Sequence, residues 1–235
     1  MIWNFLTFLI RKLDPEIAHQ LTLKALQLGF HPRLKSTKIT TKINNLTFKN
    51  ILGVAAGFDK NAQVISKIHF LNFGFTEVGT ITPEQQYGNP KPRVFRLDKD
   101  KAIINRNGFN NLGMKEAKKK LERYRKTNPV GSDFVLGINI GPNKNSLDRI
   151  NDYQILSENL SKYADYITIN ISSPNTPNLR DFHNSELLEK VIKAVQKGIF
   201  HSKLENPNIP IFLKIAPDIS LEILEAIINK AVQLK

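Results

Sequence analysis

The chain has 235 residues, 41% of them hydrophobic and 23% charged, the balance of a soluble globular protein with room for one large core or two small ones. It contains no cysteine, which excludes disulfides, Cys-type zinc clusters and thiol nucleophiles and suits a reducing compartment. Lys and Arg number 34 against 21 Asp and Glu, a net charge of +13 that nucleic acid, an anionic membrane or merely a lysine-rich genome would explain.

The opening MIWNFLTFLI lacks the basic n-region and small-residue cleavage site of a signal peptide. It is also far short of the about 20 apolar residues that span a bilayer. Trp3, Phe5, Leu6, Phe8, Leu9 and Ile10, followed by Arg11 and Lys12, read instead as a short helix for a membrane interface. A second helix follows, capped by Asp14, with Pro15 in its first turn, Ile17, Ala18, Leu21, Ala25 and Leu28 on its apolar face, and Gly29 at its end. Both docking on the protein's own core and docking on lipid are open to this pair, and residues 1–32 form a helical extension ahead of a domain at 33–235.

Beyond Pro32 the stretch KITTKINNLTFKNIL alternates as a hairpin turning at Asn44 and Asn45. Apolar runs at 51–56, 75–81, 134–140, 166–171 and 209–215 are short enough for buried parallel strands. Helical segments at 62–70, 114–125, 152–163, 185–200 and 221–234 separate them. The most basic of these, MKEAKKKLERYRK, places Met114, Ala117, Leu121 and Tyr124 at helical spacing, so its lysines form a solvated outer face; no RNA-binding motif accompanies it. His31, His69, His183 and His201 show no metal-ligand spacing.

This order is that of a parallel α/β fold. Each strand ends in glycines or polar residues, AGFDK, GTITP, INIGPNK, NISSPN and KIAPD, as in a TIM-type (β/α)8 barrel, whose site is built from the loops after its strands. About five βα units are present where such a barrel has eight, so the reading is of an incomplete barrel with unpaired edges on its first and fifth strands.

Seven stretches, AAGFDKN, EVGTITP, NPKPRVFRL, INRNGFNNLG, LGINIG, INISSPNTPNLR and KIAPD, occur in the order in which the quinone-dependent, class 2 dihydroorotate dehydrogenases carry similar ones, and over nearly the whole chain the sequence resembles that family. The resemblance implies an FMN enzyme on a TIM-type barrel that oxidises dihydroorotate to orotate in pyrimidine biosynthesis and passes the electrons to a membrane quinone. It further implies a monomer held peripherally on the cytoplasmic face of a bacterial cell membrane, without nucleic acid as partner.

By the same resemblance Ser173 is the catalytic base, where soluble class 1 relatives use cysteine. Pro174 and Pro177 stiffen its loop, while Asn170 and Asn175 offer donors and acceptors to an imide-like ring. Lys60 supplies a cation for the substrate carboxylate, and Asn105, Arg106, Asn107, Gly108 and Phe109 also meet the substrate. Asn107 stands where many relatives carry a larger apolar or aromatic residue. Ala56, Gly57, Phe58, Asp59, Lys60, Thr80, Asn139, Asn170 and Lys214 match the flavin contacts, and His19 and Arg96 match polar residues at the inner end of a quinone tunnel. The family's later strands, with an Asn-Thr pair and the phosphate-binding loops, have no counterpart here, which implies a C-terminal truncation and weak flavin affinity. An inactive remnant, or an RNA-acting FMN barrel such as a tRNA dihydrouridine synthase, are the alternatives; the catalytic cysteine of the latter is absent.

Overall fold

A computed structural model describes residues 2–32, 39–204 and 208–234. The expected boundary after residue 32 adjoins residues 33–38, which lie outside the described residues, as do Lys38 of the expected hairpin and the side chain of Trp3.

Two helices come first, α1 (Ile2–Ile10) and α2 (Pro15–Gln27). Asp14 Oδ1 accepts the N–H groups of Glu16 and Ile17 at 2.9 and 3.1 Å, satisfying two of the donors that a helix start leaves over. Gly29, at φ +85°, closes α2 from the left-handed region. The expected apolar face of α2 is only partly buried, since Ile17, Leu21 and Leu28 are exposed and it is the neighbouring Leu23 and Leu26 that pack. Ala18, Leu23 and Leu26 of α2 are buried on the body of the protein, whereas Phe5, Leu6, Phe8 and Leu9 of α1 face outward.

The hairpin β1 (Thr41–Ile43) and β2 (Leu46–Phe48) turns at Asn44 and Asn45 as expected. The central sheet then builds from β3 (Gly53–Val54), α3 (Ile65–Phe70), β4 (Phe75–Ile81), and, after the small hairpin β5 (Val94–Leu97) and β6 (Ala102–Asn105), α4 (Met114–Arg125). It continues through β7 (Val135–Ile140), α5 (Arg149–Leu160), β8 (Tyr166–Asn170), α6 (Ser185–His201), β9 (Ile211–Lys214) and α7 (Leu221–Gln233). The five strands pair in parallel in the order β3-β4-β7-β8-β9, one helix after each unit, and among the described residues the sheet does not close. Its edges are β3 and β9, the first and fifth strands, as the sequence implies.

Several elements depart from the expected bounds. The run 51–56 pairs only at Gly53 and Val54. The helix expected from residue 62 starts at Ile65, because Ala62 takes φ +55° and the Asp59 carboxylate holds the N–H groups of Gln63 and Val64 at 2.7 and 2.8 Å. The helix expected from residue 152 starts three residues earlier, where Asp148 accepts the Asn151 N–H at 2.9 Å. Hairpin β5–β6 is an element that the periodicity does not announce.

The sheet has two unlike faces. Outward-facing Val78, Leu136, Ile138, Ile140, Ile167 and Ile169 are buried under the helices together with Leu156, Leu160, Leu188 and Val195. α5 and α6 lie close because Gly198 is bare: a Cβ there would sit 2.0 Å from Ser157 Oγ. On the inner face, Leu46 and Phe48 of the first hairpin close the lower end against Val135, Tyr166, Phe75 and Phe212. Above that plug the inner face turns polar.

Candidate active site

Polar side chains on the inner face rise toward the carboxyl ends of the strands, where the loops after β3, β4, β6, β8 and β9 enclose a cavity of about 410 Å³, within the range of small-molecule sites. Twelve of the residues singled out in the sequence line it: Ala56, Gly57, Lys60, Thr80, Asn105, Asn107, Gly108, Phe109, Asn170, Ser173, Asn175 and Lys214. Motifs more than 150 residues apart thus meet at one place, as strand-end loops of a parallel sheet do.

Ser173 is half-buried at the start of the loop after β8. Its Oγ accepts the Asn175 N–H at 3.2 Å, a short serine turn that holds the hydroxyl toward the cavity, and among the described residues its proton has no acceptor. Asn175 Nδ2 reaches Asn105 O at 3.4 Å, and Asn89 Nδ2 reaches Asn175 O at 3.4 Å, so this loop is laid against the segment after β6. Thr176, three residues on, has a buried hydroxyl without a partner among the described residues.

Lys60 Nζ donates to Gly57 O at 2.7 Å. Burial is the chief reason that its ammonium is held below the ordinary lysine range; Glu16 opposes that and Arg93 adds to it. On the far wall a chain of hydrogen bonds joins four strands, β9, β8, β7 and β4. Lys214 Nζ donates to Ser172 Oγ at 2.9 Å, and Ser172 Oγ to Asn170 Oδ1 at 2.9 Å. Asn170 Nδ2 donates to Thr80 Oγ1 at 2.9 Å and Asn139 Oδ1 at 3.1 Å, and Thr80 Oγ1 donates to Asn139 Oδ1 at 2.6 Å.

Six singled-out residues do not line the cavity. Asn139 is fully buried behind it. Asp59 is fully buried too, spent on capping the loop before α3, with its carboxyl pushed above the ordinary range by burial against the pull of those backbone N–H groups. Phe58 meets His19 edge-on, ring centroids 5.4 Å apart. Arg106 donates to Pro92 O at 2.9 Å and covers the Phe95 ring. Arg96 donates to Leu13 O at 2.7 Å and Arg11 O at 3.1 Å, clamping the α1–α2 turn to β5.

His19 lines a second cavity of about 310 Å³, between α2 and the body, and Lys60 lines both. The His19 Nε2 lies 2.7 Å from Phe58 O, and burial, then the charge of Lys60, keeps its imidazole below the usual histidine range. Arg96 lines neither cavity, so the two residues expected at the quinone site are apart in role.

Ser172, Asn110 and Arg180 line the first cavity without having been singled out. Ser172 and Arg180 stand in the conspicuous NISSPNTPNLR loop, where an alternation count along YITIN would have marked Ser172 as inward.

A sequence profile of the dihydroorotate dehydrogenase family matches residues 38–235. The chain belongs to the dihydroorotate dehydrogenase family. It is 46% identical over 211 residues to the dihydroorotate dehydrogenase (quinone) of Bartonella tribocorum, covering 88% of this chain and 57% of that one. To the protein of the same name from Erythrobacter litoralis it is 43% identical over 234 residues, covering 99% of this chain and 65% of that one. The crystal structure of a dihydroorotate dehydrogenase from Eimeria tenella in complex with ferulenol superposes with a TM-score of 0.87 at 37% identity, over 94% of this chain and 64% of that one. The chain therefore spans about three-fifths of the length of the dihydroorotate dehydrogenases it matches. The five-unit parallel sheet is the corresponding portion of their fold, and the cavity stands at the strand ends of that portion.

Proposed function

We propose that this protein oxidises dihydroorotate to orotate with FMN as hydride acceptor and a membrane quinone as final electron acceptor. The observation that carries the reading is the meeting, in one cavity, of an uncommitted serine hydroxyl, Ser173, with two lysines, Lys60 and Lys214.

The residues present suit a flavin ring. Gly57, at φ +102°, leaves bare backbone beside the cavity, and a Cβ placed on it would meet nothing within 4 Å, so a flat ring has room to approach. Thr80, Asn170 and Lys214 offer mixed donors and acceptors along the wall, the pattern that a rim of alternating C=O and N–H groups needs. FMN, when bound, supplies the hydride acceptance that no side chain provides.

Forming the C=C bond of orotate removes a proton and a hydride from adjacent carbons. Ser173 Oγ takes the proton as it releases its own hydroxyl proton to solvent, and its turn with Asn175 and the flanking Pro174 hold it at a set distance. Lys60 binds the substrate carboxylate, and Asn105 and Asn175 hydrogen-bond the ring. Lys214 sets a cation beside the ring that gains negative charge, which favours reduction.

The helix pair serves the quinone half. Phe5, Phe8 and Leu9 on α1 are exposed and followed in the chain by Arg11 and Lys12, apolar bulk with adjoining cations suited to lying peripherally on an anionic bilayer at the cytoplasmic side, and Leu28 and Phe30 after α2 are exposed as well. No described helix is long and apolar enough to cross a membrane. The His19 cavity opens from α2 toward Lys60 and is the proposed quinone route, with Arg96 as the clamp that holds the pair in place.

Stopped-flow reduction of the FMN-loaded protein by dihydroorotate tests the chemistry. Ser173→Ala is expected to leave FMN bound and slow flavin reduction by roughly 10² or more; an unchanged rate removes Ser173 from the mechanism. Deleting residues 1–30 is expected to abolish sedimentation with anionic liposomes while sparing that reduction, and retained binding would assign the membrane contact elsewhere.

A further inference from the structure

Glu77 stands in the middle of β4, a charged residue in the run FTEVGTI, and points to the inner face. It does not line the cavity, yet its carboxylate takes three hydrogen bonds: from Asn139 Nδ2 at 2.7 Å, Thr168 Oγ1 at 2.9 Å and Tyr166 OH at 3.2 Å.

The first of these bonds continues the chain that begins at Lys214. An ammonium can only donate and a carboxylate can only accept, whereas hydroxyls and amides between them can run either way. Glu77 forces Asn139 to present its nitrogen to it and therefore its oxygen to Thr80 and Asn170. Thr80 spends its proton on that oxygen, so it must accept from Asn170; Asn170 then turns its own oxygen to Ser172, whose hydroxyl is left to accept from Lys214. Every link donates in one direction, from the cation at the cavity to the anion behind it.

We infer that Glu77 is a positioning residue, the terminal acceptor that sets the direction of this chain. The consequence at the cavity is that Thr80 faces it with oxygen lone pairs only, as an acceptor, and Lys214 faces it as a donor. Such a wall reads a flat ring that carries an N–H and a carbonyl side by side on its rim. Without Glu77 the Asn139 amide is free to turn over, which sets two donors against each other at Asn170 and scrambles the wall. This use of the wall rests on the flavin reading given above; the direction of the chain does not.

Solvent exchange of the Asn139 and Asn170 side-chain amides, followed by NMR on the 15N-labelled 235-residue protein, tests the chain without any ligand. In the parent both amides are expected to exchange slowly. Glu77→Met, similar in size but without an acceptor, is expected to speed both by about 10-fold or more, including Asn170, which does not touch Glu77. Glu77→Gln retains a carbonyl for Asn139 and turns its NH2 to the Thr168 and Tyr166 hydroxyls, so it is expected to restore slow exchange.

An Asn170 amide that is unmoved by Glu77→Met overturns the inference, and so does a Gln variant as fast as the Met one. If the Met variant does not fold, Glu77→Asp, which withdraws the carboxylate by one methylene, takes its place with the same expected result. FMN titration, read by quenching of its fluorescence, is expected to show affinity lost by about 10-fold in the Met variant and retained in the Gln variant. Because the expected flavin affinity is weak, the titration runs to about millimolar FMN; absence of quenching there in every protein, parent included, would sink the flavin reading and leave the exchange result to decide the direction of the chain.

Discussion

The two faces of the central sheet are built from the same five strands and do opposite work. Ile167 and Ile169 of β8 point outward into the apolar layer beneath α5 and α6, while Thr168 and Asn170 of the same strand point inward into hydrogen bonds with Glu77, Thr80 and Asn139. A strand's period of two makes such a division possible within five residues. Its lesson is that stability and site chemistry are separable here: the outer face is held by non-directional burial, the inner by bonds whose direction matters.

Three substitutions bear on that separation. The largest effect is expected on the outer face. Ile169→Ala empties a fully buried position and should cost about 2–5 kcal/mol in denaturant unfolding, with the inner-face amides of Asn139 and Asn170 still slow to exchange. Loosened inner-face amides in this variant would mean that the faces are coupled and the comparison fails.

A smaller effect is expected from Thr168→Val, nearly the same shape without the hydroxyl. It removes one of the three donors to Glu77 and should cost about 1–2 kcal/mol, since a buried acceptor is left partly unsatisfied. A neutral result would show that Tyr166 and Asn139 satisfy the carboxylate by themselves.

The smallest effect belongs to Lys60 at the cavity's rim, and it depends on pH. Its folded pKa lies below the ordinary lysine value, chiefly through burial, so the folded state gives up the proton more readily than the unfolded chain. The charged form therefore weakens folding at pH values below the folded pKa, and that penalty fades as pH rises from there toward the ordinary value of about 10.4. The Tm difference between Lys60→Met and the parent should shrink over that alkaline window; a difference constant with pH would assign the burial of Lys60 no electrostatic cost.

Much of this architecture is legible in the residues. Asp14, Pro15 and Gly29 announce α2, Asn44 and Asn45 the first hairpin, and the apolar runs ending in AGFDK, GTITP, NISSPN and KIAPD announce the strands and the end at which the cavity lies. Motif resemblance picked twelve of the cavity's residues for the same reason: side chains at strand ends of a parallel sheet must converge. Asp59 and Arg106 show the limit. Both sit inside matching motifs, yet one caps a turn and the other grips Pro92 O, and nothing in a motif tells a residue that faces the site from one that braces the loop beside it.

By itself, the sequence determined most of the local structure and the family, because apolar runs, capping and motif order are properties of the chain alone. Partners across strands were decided only in the tertiary structure. The register Ile138 with Ile167 and Val78 with Ile138 places Asn139 between Glu77 and Asn170, and a shift of one residue would have turned those amides out to the apolar layer. Likewise α1 and α2, both apolar in sequence, parted ways. A helix buries what finds a matching surface: among the described side chains, α2 lays Ala18, Leu23 and Leu26 against the body of the protein, with Arg93 gripping its Glu16 at 2.6 Å and Arg96 clamping the turn before it, while α1 leaves Phe5, Leu6, Phe8 and Leu9 exposed.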